Sequence, residues 1–203
     1  MLKVALTGGI ATGKSYVLSA LRKHGIPCLD ADELAHGVMA PGTEATRAIA
    51  DLFGDVLESS GAVDRRKLGP LVFADAAARR QLEAIVHPAV YRAIAAGLRA
   101  FELTERPAIA VVDIPLLYET GHESDFAKVI ATTCREETQV ARLAARGLSS
   151  EAARQRIASQ LSSADKAGRA DYVIDTDGSY ESTDARVEEI LVDLKTLAAA
   201  SAG

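Results

Sequence analysis

The sequence predicts an α/β protein: a parallel sheet with helices on both faces, interrupted by a helical insertion. Three observations lead there. Apolar runs of strand length alternate with helical patterns along most of the chain, which is how β-α-β units read. One run, Ile109 to Ile114 (IAVVDI), is apolar throughout except for a single Asp, as in a strand covered on both faces. Between about Glu33 and Arg106 strand signal all but disappears, leaving helical patterns separated by Pro41-Gly42, Gly54 and Gly61.

In chain order, Leu2 to Thr7 reads as a buried strand, and Lys14 to Lys23 as a helix stopped near Gly25. Ile26 to Leu29 is a second short apolar run that leads into Asp30-Ala31-Asp32. Within the insertion, Leu82, Ile85, Val86, Val90, Ile94, Leu98 and Phe101 recur at helical spacing. Pro88 interrupts that stripe, and a proline inside a helix removes a donor and clashes with the carbonyl four residues back, so a kink is expected. After the 109–114 strand come a strand at Val129 to Thr132, helices at Glu136 to Arg146 and Ser150 to Leu161 around Gly147, and a last strand at Tyr172 to Asp175. Val187, Ile190, Leu191, Leu194 and Leu197 line one face of a C-terminal helix, and the Ala-rich tail beyond it is expected to fray.

A chain of 203 residues has room for one sizeable core with an inserted sub-domain. The net charge of -5 speaks against general nucleic-acid binding, which favours basic surfaces. No stretch approaches the roughly 20 apolar residues of a membrane span. The N-terminus lacks the long apolar region of a signal peptide. Cys28 and Cys134 are the only cysteines, and each lies in or beside an expected strand, so they read as small reduced core residues. A cytoplasmic protein with neither nucleic-acid nor membrane partners is the expectation, and the oligomeric state is left open.

The stretch LTGGIATGKSY carries the chemistry. Gly8-x-x-x-x-Gly13-Lys14-Ser15 fits the P-loop pattern, and the preceding strand and following helix supply its required setting. Gly8, Gly9 and Gly13, with Ala11 and Thr12 between them, let backbone N–H groups approach phosphate oxygens. The helix aims its positive end at the same anion. Lys14 supplies an ammonium for the β- and γ-phosphates, and the Ser15 hydroxyl can ligate Mg²⁺. The fold is therefore expected to be P-loop NTP hydrolase-like, acting on ATP with magnesium. A GTPase would need an Asn-Lys-x-Asp after a later strand, and Asp175-Thr176-Asp177-Gly178 is not that motif. A small kinase needs a second carboxylate, an acceptor pocket and mobile arginines.

All three have candidates. Asp32 follows the second strand, where α/β sheets place their ligands. It suits two roles, a base that takes a proton from an attacking hydroxyl or an N-cap for the next helix, and Asp30 is a weaker competitor for the first. Asp113 ends the IAVVD run, where a charge is costly unless used; water-mediated contact with magnesium or a structural hydrogen bond would use it. Leu116 and Tyr118 belong to an apolar patch that suits core or ligand pocket alike. Arg142 and Arg146 share a helical face, and with Arg154, Arg156, Lys166 and Arg169 they make either a phosphate-closing lid or a solvated surface. His87 precedes Pro88 and has no metal-spaced partner.

Taken together, LTGGIATGKS, GIPCLDADELAH, LEAIVHPAV, VVDIPLLYETG and RLAARGLSSEAARQRIASQ resemble the dephospho-coenzyme A kinases, over about Leu2 to Asp177. The resemblance implies ATP-dependent phosphorylation of the 3′-hydroxyl of dephospho-coenzyme A. It also implies a nucleotide-binding core (1–32, 106–135 and 169–203), a helical acceptor-binding domain (33–105) and a lid (136–168). On it, Asp32 matches the catalytic base, Lys14 and Ser15 the phosphate and magnesium contacts, His87 the acceptor domain, and Arg142 and Arg146 the lid. Tyr16 and Arg142 are further expected at the nucleotide, Arg146 in catalysis, and His87, Leu116 and Tyr118 at the acceptor. Two positions depart from the family pattern: Tyr16, where Thr is frequent, and Thr176-Asp177-Gly178, where Asn-Gly is frequent near the adenine. A kinase of another hydroxylated or nucleotide acceptor, and a non-catalytic nucleotide-binding switch, are the competing readings.

Overall fold

The computed structural model describes residues 1–200. Along the chain run β1 (Leu2–Gly8), α1 (Lys14–Lys23), β2 (Cys28–Asp30), α2 (Ala31–Val38), α3 (Glu44–Phe53), α4 (Arg65–Ala74) and α5 (Ala76–Thr104). β3 (Ile109–Asp113), β4 (Lys128–Thr133), α6 (Glu136–Ala144), α7 (Ser150–Ala158), α8 (Ser163–Arg169), β5 (Tyr172–Asp175) and α9 (Tyr180–Ala200) follow. The chain divides into two units, Met1–Leu29 with the chain from Phe101 onward, and Asp30–Ala100.

The first unit is built on a five-stranded sheet of order β2-β3-β1-β4-β5. β1 pairs in parallel with β3 on one side and β4 on the other, and β4 with β5. Strand order reverses at β1, so the crevice at its carboxyl end is the place where such sheets bind ligands. Register sets what lies there: Leu6 aligns with Asp113, and Gly8 with Thr132. β1 and β3 are buried along nearly their whole length, which explains why their sequences are apolar rather than alternating. The main core packs Val17, Leu18 and Leu21 of α1 and Val187, Ile190, Leu191 and Leu194 of α9 against Val4, Leu6, Val111, Ile130 and Ile174. Each fully buried aliphatic side chain contributes about 1.5–3 kcal/mol.

The second unit is helical, with its own small core of Ile49, Val56, Val63 and Leu68 closed by Leu82, Ile85 and Val86 of α5. It also carries an isolated antiparallel bridge, Leu57 to Val63, in the loop between α3 and α4. α5 continues on both sides of Pro88.

Three expectations change. α9 extends to Ala200, into the tail expected to fray, because Ala favours helix and Leu194 and Ala198 prolong the buried face; residues 201–203 lie outside the described residues. α6 and α7 end at Ala144 and Ala158, earlier than their patterns implied. α8 was not anticipated, although Ser162 caps it by accepting from the Asp165 amide.

Candidate active site

The phosphate loop spans the end of β1 and the start of α1. Two glycines in it are sterically required. A Cβ on Gly8 would sit 2.1 Å from Thr132 Oγ1. Gly13 has φ +83° and would bring a Cβ to 3.2 Å from Thr176. Ala11 also adopts a left-handed backbone, φ 61°, which a residue with a Cβ takes up only at a cost of about 1–2 kcal/mol.

Side chains from distant elements hold this strained loop. Thr12 Oγ1 donates to Gly9 O at 2.8 Å and lies 2.7 Å from Thr132 Oγ1. Gln139 of α6 donates from Nε2 to Ile10 O at 2.6 Å, while the Ile10 amide donates to Gln160 Oε1 at 3.0 Å. Arg142 clips the loop to the segment after β5: Nη1 donates to Ala11 O at 3.0 Å and Thr176 Oγ1 at 3.0 Å, and Nη2 donates to Thr176 O at 2.6 Å. Thr176 Oγ1 in turn donates to Thr12 O at 2.9 Å.

Lys14 and Asp113 form a close pair: the ammonium lies 2.6 Å from Oδ1 and 2.7 Å from Oδ2, with 15% and 3% side-chain exposure. The cation that the loop pattern leads one to expect at phosphate is thus paired with a buried carboxylate. Ser15 is exposed in the first turn of α1. Tyr16 turns towards α9; its hydroxyl is 3.0 Å from both Asp184 carboxylate oxygens, and its ring centroid lies 4.6 Å from that of Tyr180.

Arg142 and Arg146 part company. The first is engaged on the loop; the second is exposed at the end of α6. Lys166, grouped with the mobile cations in the sequence, is instead fully buried. Its ammonium donates to Pro115 O at 2.6 Å and lies 2.8 Å from Glu119 Oε1, which also accepts from the Leu161 amide at 3.0 Å. Burial lowers the Lys166 pKa and Glu119 opposes the shift. Arg169 stacks 4.1 Å from the Tyr118 ring and pairs with Glu123. The segment after β3 is therefore fastened to α8. Tyr118 is 7% exposed, and burial raises the pKa of its hydroxyl, which has no hydrogen-bond partner among the described residues; Leu116 is partly open.

In the helical unit, Asp30 rather than Asp32 caps α2: its Oδ1 accepts from the amides of Asp32 and Glu33 at 2.8 and 3.2 Å. The Asp32 carboxylate is exposed and released from that duty. His87 is partly buried on α5. The structure gathers Gly8, Gly9, Ala11, Thr12, Gly13, Lys14, Ser15, Asp113 and Arg142 within the first unit, and puts Asp32 and His87 in the second.

The family model for dephospho-CoA kinase matches residues 2–182. The chain belongs to the dephospho-CoA kinase family. A dephospho-CoA kinase of Symbiobacterium thermophilum is 46% identical over 91% of this chain and 78% of its own length. One from Anaeromyxobacter dehalogenans is 43% identical over 96% and 93%. Among solved structures, a dephospho-CoA kinase from Campylobacter jejuni aligns with TM-score 0.73 at 27% identity, covering 96% of this chain and 97% of that one.

Seen as a dephospho-CoA kinase family member, the chain explains its two departures locally. Tyr16 packs outward on α9, and Thr176 serves as the joint between Arg142 and the phosphate loop. Gln139, Gln160 and the buried role of Lys166 escaped the sequence reading. The one signal was Gln139 itself, a polar residue four positions before Leu143 on the buried face of α6.

Proposed function

We propose that this protein transfers the γ-phosphoryl group of ATP to the 3′-hydroxyl of dephospho-CoA, giving coenzyme A and ADP, in the cytoplasm. The family match across 2–182 carries this reading, because the phosphate loop by itself speaks only for the donor. The loop amides and the end of α1 take the polyphosphate. Lys14 moves from Asp113 to the β- and γ-oxygens, and the freed carboxylate becomes available. Arg142 keeps the loop in shape, and the exposed Arg146 supplies a cation to the transferring group. Residues 136–168 act as the lid and 33–105 as the acceptor-binding domain, with His87, Leu116 and Tyr118 on the acceptor side. Asp32 accepts the proton of the attacking hydroxyl.

The residues fit magnesium. Ser15 Oγ and the Asp113 carboxylate are hard oxygen donors, and no group of three or more His, Cys, Asp or Glu is placed to hold a metal among the described residues. An ion here would draw its other ligands from phosphate and water, which is how magnesium binds with nucleotides. When bound it neutralises charge on the β- and γ-phosphates. No described helix is long and apolar enough to cross a membrane.

A coupled ADP-release assay tests the proposal, with dephospho-CoA set against nucleoside monophosphates and shikimate. Turnover confined to dephospho-CoA supports it; preference for another acceptor moves the assignment, and ATP binding without any turnover points to a switch.

A further inference from the structure

α2 and α4 build a second feature beside Asp32 that the phosphate-transfer machinery does not use. His36 lies one helical turn after Asp32, on the same face. Its Nδ1 is 2.7 Å from the Asp32 carbonyl oxygen. A carbonyl only accepts, so Nδ1 carries the proton, and in the neutral ring Nε2 is then an acceptor. The guanidinium of Arg65 meets it there, Nη1 to Nε2 at 2.6 Å. The imidazole thus tethers Arg65 without cancelling its charge.

The neighbouring cations are treated differently. Arg66 lies 3.6 Å from Asp64, and Lys67 lies 3.1 Å from Asp55. Among the described residues, Arg65 has no carboxylate partner of its own. It stands at the first position of α4, where the helix end adds positive potential, and it is exposed. The result is an exposed guanidinium without a carboxylate partner among the described residues, tethered through one imidazole to the main chain of Asp32. Arg forks match phosphate oxygens in geometry and charge.

We propose that Arg65, held by His36, binds the 5′-diphosphate of the acceptor and so sets the preference for a phosphorylated ribose. This rests on the acceptor assignment made above. The chemistry calls for such a neighbour: in dephospho-CoA the reacting 3′-hydroxyl and the 5′-diphosphate hang from one furanose ring. A protein that places a base at the hydroxyl and wants to exclude plain alcohols needs a cation one sugar away. Asp32 and Arg65, linked through His36, are a couple of that kind. Arg65 is the binding residue and His36 its positioning residue.

Steady-state kinetics of Arg65→Gln test this, with dephospho-CoA and ATP varied in turn. The expected result is an acceptor KM raised by roughly 10- to 100-fold, the loss of one charge-assisted contact. The kcat and the ATP KM should stay within about twofold, since the contact is made equally in ground and transition states. Added salt should raise the acceptor KM more steeply for the unmodified protein than for the variant. His36→Leu should move the same parameter by less, and His36→Gln, which keeps an acceptor atom, should restore it. If Arg65→Gln fails to fold, Arg65→Lys is measured in its place and should raise the acceptor KM less. An unchanged acceptor KM, or a loss seen only in kcat or in the ATP KM, overturns the inference while leaving dephospho-CoA as the substrate. Absence of turnover on dephospho-CoA by the unmodified protein overturns the acceptor assignment, and this inference with it.

Discussion

Exchanging the Asp32 carboxylate for an amide separates binding from chemistry. Asp30 already caps α2, so Asp32→Asn should leave the helix and ATP binding intact while lowering turnover at least about 100-fold, the low end for an acid–base group. Calorimetry with ATP and an ADP-release assay read the two halves; near-normal turnover would remove Asp32 as base. Gly13→Ala should act on the donor side. The left-handed backbone alone costs about 1–2 kcal/mol, and the new methyl would press on Thr176, so both thermal midpoint and ATP affinity should fall. Cys28 gives a pH signature. Burial is the main cause that pushes its thiol from 9.0 to about 11, with Arg22 opposing and Asp113 adding. The unfolded chain releases this proton first, so between about pH 9 and about pH 11 stability falls as pH rises, and Cys28→Ala should flatten that part of the curve. The loop of glycines, Lys14 and Ser15 between β1 and α1 was legible in the sequence because its strand–loop–helix pattern is local and its residue types stand at a fixed spacing. Gln139 and Gln160 were not, because both bond the backbone of Ile10, a partner more than a hundred residues away with no side-chain identity to betray it.

Elements show the same division between local and distant causes. β1, β3 and β4 were readable since burial on both faces demands continuous apolar residues, and α1 and α5 through their periodicity. α8 was hidden: it is short, and its most buried residue is a lysine, which periodicity counts as polar. That lysine defines what the element does. With Glu119 it ties α8 to the segment after β3, and the Arg169 stack on Tyr118 repeats the tie one turn later. Lys166→Met removes one partner of a buried pair and leaves Glu119 behind. The expected loss is about 3 kcal/mol, the low end for such breakage because Glu119 keeps partial access to water. Lys166→Met combined with Glu119→Gln should recover part of it, and urea unfolding of both variants measures the difference. A single variant as stable as the parent would mean that α8 is held by its apolar contacts alone.

At the scale of the whole molecule, the residues proposed for the donor and those proposed for the acceptor belong to different folded units. Every described contact to the phosphate loop from Gln139, Arg142, Gln160 and Thr176 is internal to the first unit, and Asp32, His36 and Arg65 all belong to the second. Each unit has its own apolar core, so each ligand should leave its own trace in amide hydrogen exchange. ADP with magnesium should slow exchange in Gly8 to Tyr16 and around Thr176, where it completes a loop held in a strained conformation. It should leave the Ile49, Val56 and Leu68 core unchanged except for the uniform gain that any native-state ligand confers, about 2.7 kcal/mol at a hundredfold excess over Kd. Dephospho-CoA alone should slow exchange in α2 and the first turn of α4 instead. Protection by dephospho-CoA confined to the first unit would mean that the helical insertion does not hold the acceptor, and the roles given to Asp32 and Arg65 would fall together. Protection of α2 that survives Arg65→Gln would keep Asp32 at the acceptor and dismiss only the arginine.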